Sequence, residues 1–251
     1  MAPGSRLTAR RRILEREAAA YQALKMESSP AVFYLIPGLG ADERVFQFLR
    51  LRGEVHVLRW LLPLTPDESL PQYAVRLAGG VPLGQACWLV GVSFGGVLAL
   101  EVSKLRPLAR AVLVSSLVSP RELPWLARAA GATGLHRLVA PQLLQLLPRV
   151  AQWFFGARNG TEYELLARII QDTDPNFARW AIGQLLRWRG TGHAPVARIH
   201  GTHDRLLAAG TARSQHLLPG GHFIIVSQAT EISRILNGLA TTPVSDASHA
   251  A

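Results

Sequence analysis

The chain holds one cysteine, Cys87, in 251 residues. That excludes an intramolecular disulfide framework and any thiolate zinc cluster, and it fits a reducing, cytoplasmic setting. Lysine is nearly absent as well, Lys25 and Lys104 being the only ones, so the formal charge of +10 rests on arginine. The arginines are scattered, and the one tight run is Arg10, Arg11 and Arg12. No basic stripe with interleaved aromatics runs through the chain, which argues against nucleic acid as a partner. Long apolar stretches are missing too. The stretches from Ala111 to Val118 and from Leu143 to Leu147 end, or are broken by polar residues, well short of the roughly 18 residues a membrane span needs. There is no H-E-x-x-H, no G-x-G-x-x-G and no cysteine cluster, so neither a metal nor an organic cofactor is expected. Glycine and proline, at 22 and 16 residues, show no collagen-like period.

What is present is enough apolar sequence, 49% of residues, to build one large core. Residues 1–30 stand apart: Arg6, Arg10, Arg11, Arg12 and Arg16 mix with Glu15, Glu17 and an alanine run. They lack the apolar segment of a secretory signal, and the acids argue against an organelle transit peptide. They read as a solvated helix or disordered tail, with Met26 a second candidate start. Residues 241–251 are small and polar and read as a flexible tail.

From residue 31 short β-branched runs alternate with helical stretches, the pattern of βαβ units and a parallel sheet. The candidate strands are Val32–Ile36, Val55–Trp60, Cys87–Val92, Ala111–Ser115 and Val196–His200. The candidate helices are Asp42–Arg50, Asp67–Ala78, Phe94–Lys104 and Ile225–Leu239. Residues 119–190 interrupt this rhythm. They contain no convincing strand but carry Leu135, Leu138, Val139, Leu143, Leu146 and Leu147 at helical spacing, which predicts an all-helical insertion. Its aromatics, Trp125, Trp153, Phe154, Phe155, Phe177, Trp180 and Trp188, are expected mainly to pack the insertion on itself and on the sheet.

Gly91-Val92-Ser93-Phe94-Gly95 matches G-x-S-x-G. The pattern alone is weak, but here it joins a predicted strand to a predicted helix, so Ser93 falls on a sharp turn over the carboxyl edge of the sheet. A serine hydroxyl needs a base to take its proton and an acid to orient that base. Asp204 follows the late strand in His200-Gly201-Thr202-His203-Asp204, and His222 lies in the glycine-rich Pro219-Gly220-Gly221-His222. The other reading of Asp204 is a helix cap. His200 and His203 have no required role; with Asp204 they suggest a metal site on paper, but the strand end and the acid role already account for His200 and Asp204. After the preceding strand come Ser115, Ser116 and Ser119, with no carboxylate before Glu122, which favours Asp204 as the acid. A tetrahedral intermediate also needs two backbone donors. The N–H of Phe94 is one, and Pro37-Gly38-Leu39-Gly40 offers the N–H of Leu39 as the other.

With these blocks in the order serine, acid, histidine, residues 31–240 resemble an α/β-hydrolase of the esterase, lipase and thioesterase superfamily. The resemblance implies a three-layer α/β fold with a mostly parallel sheet of about six strands. Residues 31–118 and 191–240 form the core, and 119–190 a helical cap. Pro37-Gly38 stands where the family usually has His-Gly, which removes a side chain that often braces the oxyanion loop. The implied activity is cleavage of a small or medium acyl ester or thioester through an acyl-enzyme, with Ser93, Asp204 and His222 catalytic. The alternatives are a non-catalytic small-molecule-binding relative, or an acyltransferase or lyase on the same site. In residues 119–190 arginines outnumber carboxylates, which could favour an anionic thioester, but apolar burial outweighs exposed, screened charge.

Overall fold

The computed structural model describes residues 30–133, 148–209 and 215–241. The readings of the two termini, and of the leucines between Leu135 and Leu147, lie outside the described residues. Six parallel strands form one sheet in the order β2-β1-β3-β4-β5-β6: β1 Val32–Ile36, β2 Glu54–Val57, β3 Cys87–Val92, β4 Ala109–Val114, β5 Ala197–Gly201 and β6 Gln215–Leu218. Every residue of β3 and β5 is buried, as expected of strands covered on both faces.

The period-2 alternation of the strands divides the core in two. Tyr34, Ile36, Leu89 and Leu113 pack on one face with α1 (Leu70–Leu77) and α2 (Phe94–Ser103). Phe33, Leu35, Trp88, Val90 and Val112 pack on the other with α7 (Ile224–Ser227) and α8 (Ala229–Thr241). Helix α2 is buried along Phe94–Val102, which suits its all-round apolar sequence. Its one acid, Glu101, is satisfied by the Trp188 indole N–H and the Lys104 ammonium, each at 2.8 Å.

Between β4 and β5 the described elements are helices, α3 Trp125–Thr133, α4 Pro148–Phe155, α5 Gly160–Asp172 and α6 Pro175–Arg187, with a 3-10 turn at Pro120–Glu122. Asn159 caps α5 through the Glu162 N–H, and Asp174 caps α6 through the Phe177 N–H, with Pro175 following as a first-turn proline. Phe177, Trp180 and Trp188 are buried, whereas Trp125 and Trp153 are exposed. No described helix is long and apolar enough to cross a membrane.

Three predicted elements differ. Asp42–Arg50 is only a 3-10 turn, Glu43–Phe46. Its continuation is captured by α8: Ser233 Oγ accepts from the Arg50 N–H, and Asn237 both accepts from the Arg52 N–H and donates to the Arg50 carbonyl. The run Val55–Trp60 leaves the ladder after the Leu58 N–H reaches the Leu35 carbonyl. Ile225–Leu239 is two helices, broken at Gln228, whose side chain turns back to the Pro219 carbonyl.

Candidate active site

β3 ends at Val92 and α2 begins at Phe94, so Ser93 makes the whole turn, with φ 53 and ψ −121. That backbone conformation costs a side-chain-bearing residue about 1–3 kcal/mol and persists only where its surroundings enforce it. Here the Ser93 N–H donates to the Val114 carbonyl, and the Ser93 carbonyl accepts from the Gly96 N–H and the Ser116 hydroxyl. The flanking glycines are sterically required. A Cβ on Gly91 would stand 2.3 Å from the Gly95 carbonyl oxygen, and one on Gly95 would stand 2.2 Å from that of Pro37. Ser93 itself remains half-buried.

The two partners predicted for Ser93 arrive from the carboxyl ends of β5 and β6. His222 Nε2 lies 2.9 Å from Ser93 Oγ, and His222 Nδ1 lies 2.8 Å from Asp204 Oδ2. The other carboxylate oxygen accepts from the Leu206 and Leu207 N–H groups, each at 2.9 Å. The loops are tied together, since the His203 N–H donates to the Gly220 carbonyl and the Thr202 N–H to that of Leu218. Burial by itself pushes the Asp204 carboxyl up. Hydrogen bonds from His200 and His222, the attraction of His222 and the Leu207 N–H outweigh it and hold the group well below the usual carboxylate range. An ionised Asp204 can only accept, so the His222 proton sits on Nδ1 and Nε2 is free to take the proton of Ser93. Glu122, the only rival acid, is committed to both terminal nitrogens of buried Arg198 and to the Val118 N–H.

The loop after β1 lies against this turn: a methyl on Gly38 would be 3.5 Å from Ser93 Cβ. Among the described residues neither the Leu39 nor the Phe94 N–H has a protein acceptor. The brace that Pro37 cannot supply comes from elsewhere. The Trp60 indole N–H donates to the Ala41 carbonyl at 2.7 Å, the Thr173 hydroxyl proton is divided between the Ile169 carbonyl at 2.7 Å and that of Gly40 at 3.1 Å, and Arg44 bridges Asp42 and Asp172.

Sequence reasoning missed other neighbours. The Phe155 ring stands edge-on to His222 with centroids 5.5 Å apart, and its carbonyl accepts from the Phe223 N–H. Arg205 donates to the Trp153 carbonyl and lies over the Trp153 ring. His200 Nε2 reaches Asp204 Oδ2 at 3.2 Å. Only the adjacency of His200 and Asp204 in sequence hinted at any of these. His203 is exposed and bonds Thr202 Oγ1. No group of three His, Cys, Asp or Glu side chains among the described residues is arranged to hold a metal ion.

Solved structures share the fold. A thermophilic esterase from Thermogutta terrifontis matches with a TM-score of 0.66 at 16% identity, covering 85% of this chain and 92% of that one. A hydrolase from Oleispira antarctica matches at 0.64 and 14%, covering 86% and 92%. A structure from work on carboxylesterases of Nitrososphaera gargenis matches at 0.62 and 15%, also covering 86% and 92%. No curated protein matches. The alpha/beta hydrolase family model matches residues 33–235, which is most of the sequence, and the chain belongs to that family.

Proposed function

We propose that the protein is a serine hydrolase that cleaves a small or medium acyl ester through an acyl-enzyme. The observation that carries the reading is the hydrogen-bonded line from Ser93 through His222 to Asp204, with steps of 2.9 and 2.8 Å. Ser93 Oγ attacks the acyl carbon while His222 Nε2 takes its proton, and Asp204 holds the imidazole in the required tautomer and stabilises its cation. The carbonyl oxygen, now an anion, is received by the N–H groups of Leu39 and Phe94. His222 then gives the proton to the departing alcohol. In the second half water attacks the acyl-serine, with His222 again as base, and the acid leaves.

Half-buried Leu39, Trp60, Leu206 and Phe155 belong to the segments that carry or brace the site, and they offer an apolar wall for the acyl group. Residues 119–190 act as the cap over a core of residues 31–118 and 191–240. A cytoplasmic location agrees with the single thiol, which is buried. The structural neighbours include an esterase and a hydrolase, which lean the same way.

The test is a fluorophosphonate probe followed by a panel of acyl esters, thioesters and aryl amides. Labelling at Ser93, ester turnover, and loss of both in Ser93→Ala and His222→Ala are expected. A folded protein that neither labels nor turns over any ester is instead a binding module, and the proposal fails.

A further inference from the structure

Asp204 carries a second imidazole. His200 occupies the end of β5 and is 1% exposed. Its Nε2 stands 2.8 Å from the Leu207 carbonyl oxygen and 3.2 Å from Asp204 Oδ2, the oxygen that also faces His222 Nδ1. A carbonyl oxygen only accepts, so Nε2 of His200 must carry the ring proton; that N–H is bonded to the Leu207 carbonyl and lies within 3.2 Å of Asp204 Oδ2. Nδ1 is buried without a hydrogen-bond partner among the described residues. Among the described residues nothing accepts from Nδ1, so the one hydrogen bond of the ring is the one made by Nε2–H.

Asp204 therefore accepts three hydrogen bonds, from His222 Nδ1 on Oδ2 and from two backbone amides on Oδ1, and the His200 Nε2–H stands 3.2 Å from Oδ2 as well. Other charges nearby are turned elsewhere. Arg198, on the same face of β5, is taken up by Glu122 and the Ser116 carbonyl. Arg205 is directed at Trp153, and His203 at Thr202.

We propose that His200 is a positioning residue for this site. Its Nε2–H shares Asp204 Oδ2 with His222, so the carboxylate cannot turn and its grip on the base is divided between two donors. The inference rests on the reading of Ser93, His222 and Asp204 as the reacting group. A ring that merely strapped the end of β5 to the following loop would need the Leu207 carbonyl alone. The second contact falls instead on the oxygen that orients the base.

Three variants separate the two roles. His200→Gln keeps an N–H donor at the reach of Nε2, whereas His200→Leu and His200→Asn have none that extends so far. With a short-chain p-nitrophenyl ester, kcat is expected to fall about tenfold in Leu and Asn, the usual scale for losing an outer hydrogen bond on a working group. KM should stay within about twofold, and Gln should recover most of the loss. In the unliganded protein, the low-field proton resonance of His222 Nδ1–H should move further downfield in Leu and Asn, because Asp204 Oδ2 then serves one donor and binds it more tightly. Gln should return it toward the original position.

If Leu does not fold, Asn against Gln carries the same contrast. Unchanged kcat and resonance in the folded variants, or a Gln variant as impaired as Asn, would overturn the proposal and leave His200 a strap. A nitrogen-15 spectrum with the proton on Nδ1 of His200 would overturn it too. An unsubstituted protein that hydrolyses no ester and takes no fluorophosphonate defeats the hydrolase reading by itself. The His222 resonance then still decides whether His200 loads Asp204.

Discussion

Replacing Ser93 by glycine is expected to give a more stable protein than replacing it by alanine, although both remove the hydroxyl. Ser93 has φ 53 and ψ −121, where a residue with a Cβ is strained by about 1–3 kcal/mol. Alanine keeps the strain and glycine releases it. Two effects oppose the gain. Glycine has more freedom in the unfolded chain, which costs about 0.4–1 kcal/mol. It also gives up a half-buried methyl, which contributes less than the roughly 0.8 kcal/mol of a fully buried methylene. The balance favours glycine by about 1 kcal/mol, or about 2–4 °C of melting temperature for a chain of this size. Thermal melts of the two variants, monitored side by side at one pH and protein concentration, measure the difference directly. Ester turnover of both should sit at the background rate. If Ser93→Gly melts at or below Ser93→Ala, the turn stores no backbone strain, and the argument that its surroundings hold it in place is wrong.

The depressed Asp204 carboxyl makes a contribution to stability that is fully present above its ordinary value of 3.8 and is lost as pH falls through the lower folded value. The melting-temperature gap between the unsubstituted protein and Asp204→Asn should therefore be widest near neutrality and close in strong acid; a gap independent of pH would contradict this. Burial pushes the Cys87 thiol up to about 11, so a disulfide reagent at pH 8 should react with it only after denaturant is added. Rapid native reaction, followed by absorbance, would mean that strand β3 opens locally. With neutral esters, kcat/KM should rise about fourfold per methylene over the first few acyl carbons, the equivalent of about 0.8 kcal/mol each. It should also change little between low and physiological salt. A steep fall with ionic strength, with turnover confined to anionic thioesters, would instead give the arginines of residues 119–190 the leading part.

The parts legible in the sequence are those governed by short-range patterns. β1, β3, β4 and β5 show as apolar runs because both of their faces are covered, and α2 follows from the sharp turn that Gly91 and Gly95 permit. Ser93 and Asp204, each just past a predicted strand, fell at one edge of any parallel sheet, and His222 was read from its glycine-rich loop. β6 stayed hidden because it is a four-residue edge strand with only Leu218 buried, so it carries no apolar run to notice. The false helix at Asp42–Arg50 has the opposite cause. Val45, Phe46 and Leu49 are spaced for a helix, but Ser233 and Asn237, more than 180 positions away, take the Arg50 and Arg52 amides that a helix would have used.

Tertiary structure alone decided who holds whom. Trp60 and Thr173 hold the loop after β1, where the family usually has a histidine. Phe155 meets His222 from an inserted helix. His200, which its sequence position marks as the end of a strand, comes within 3.2 Å of the Asp204 oxygen that meets His222. Such contacts have no period in the chain, because a hydrogen bond across 129 residues, as between His222 and Ser93, depends on the relative placement of whole strands and loops. Local sequence patterns choose the elements, and the packing of the two faces of the sheet sets the distances between their ends.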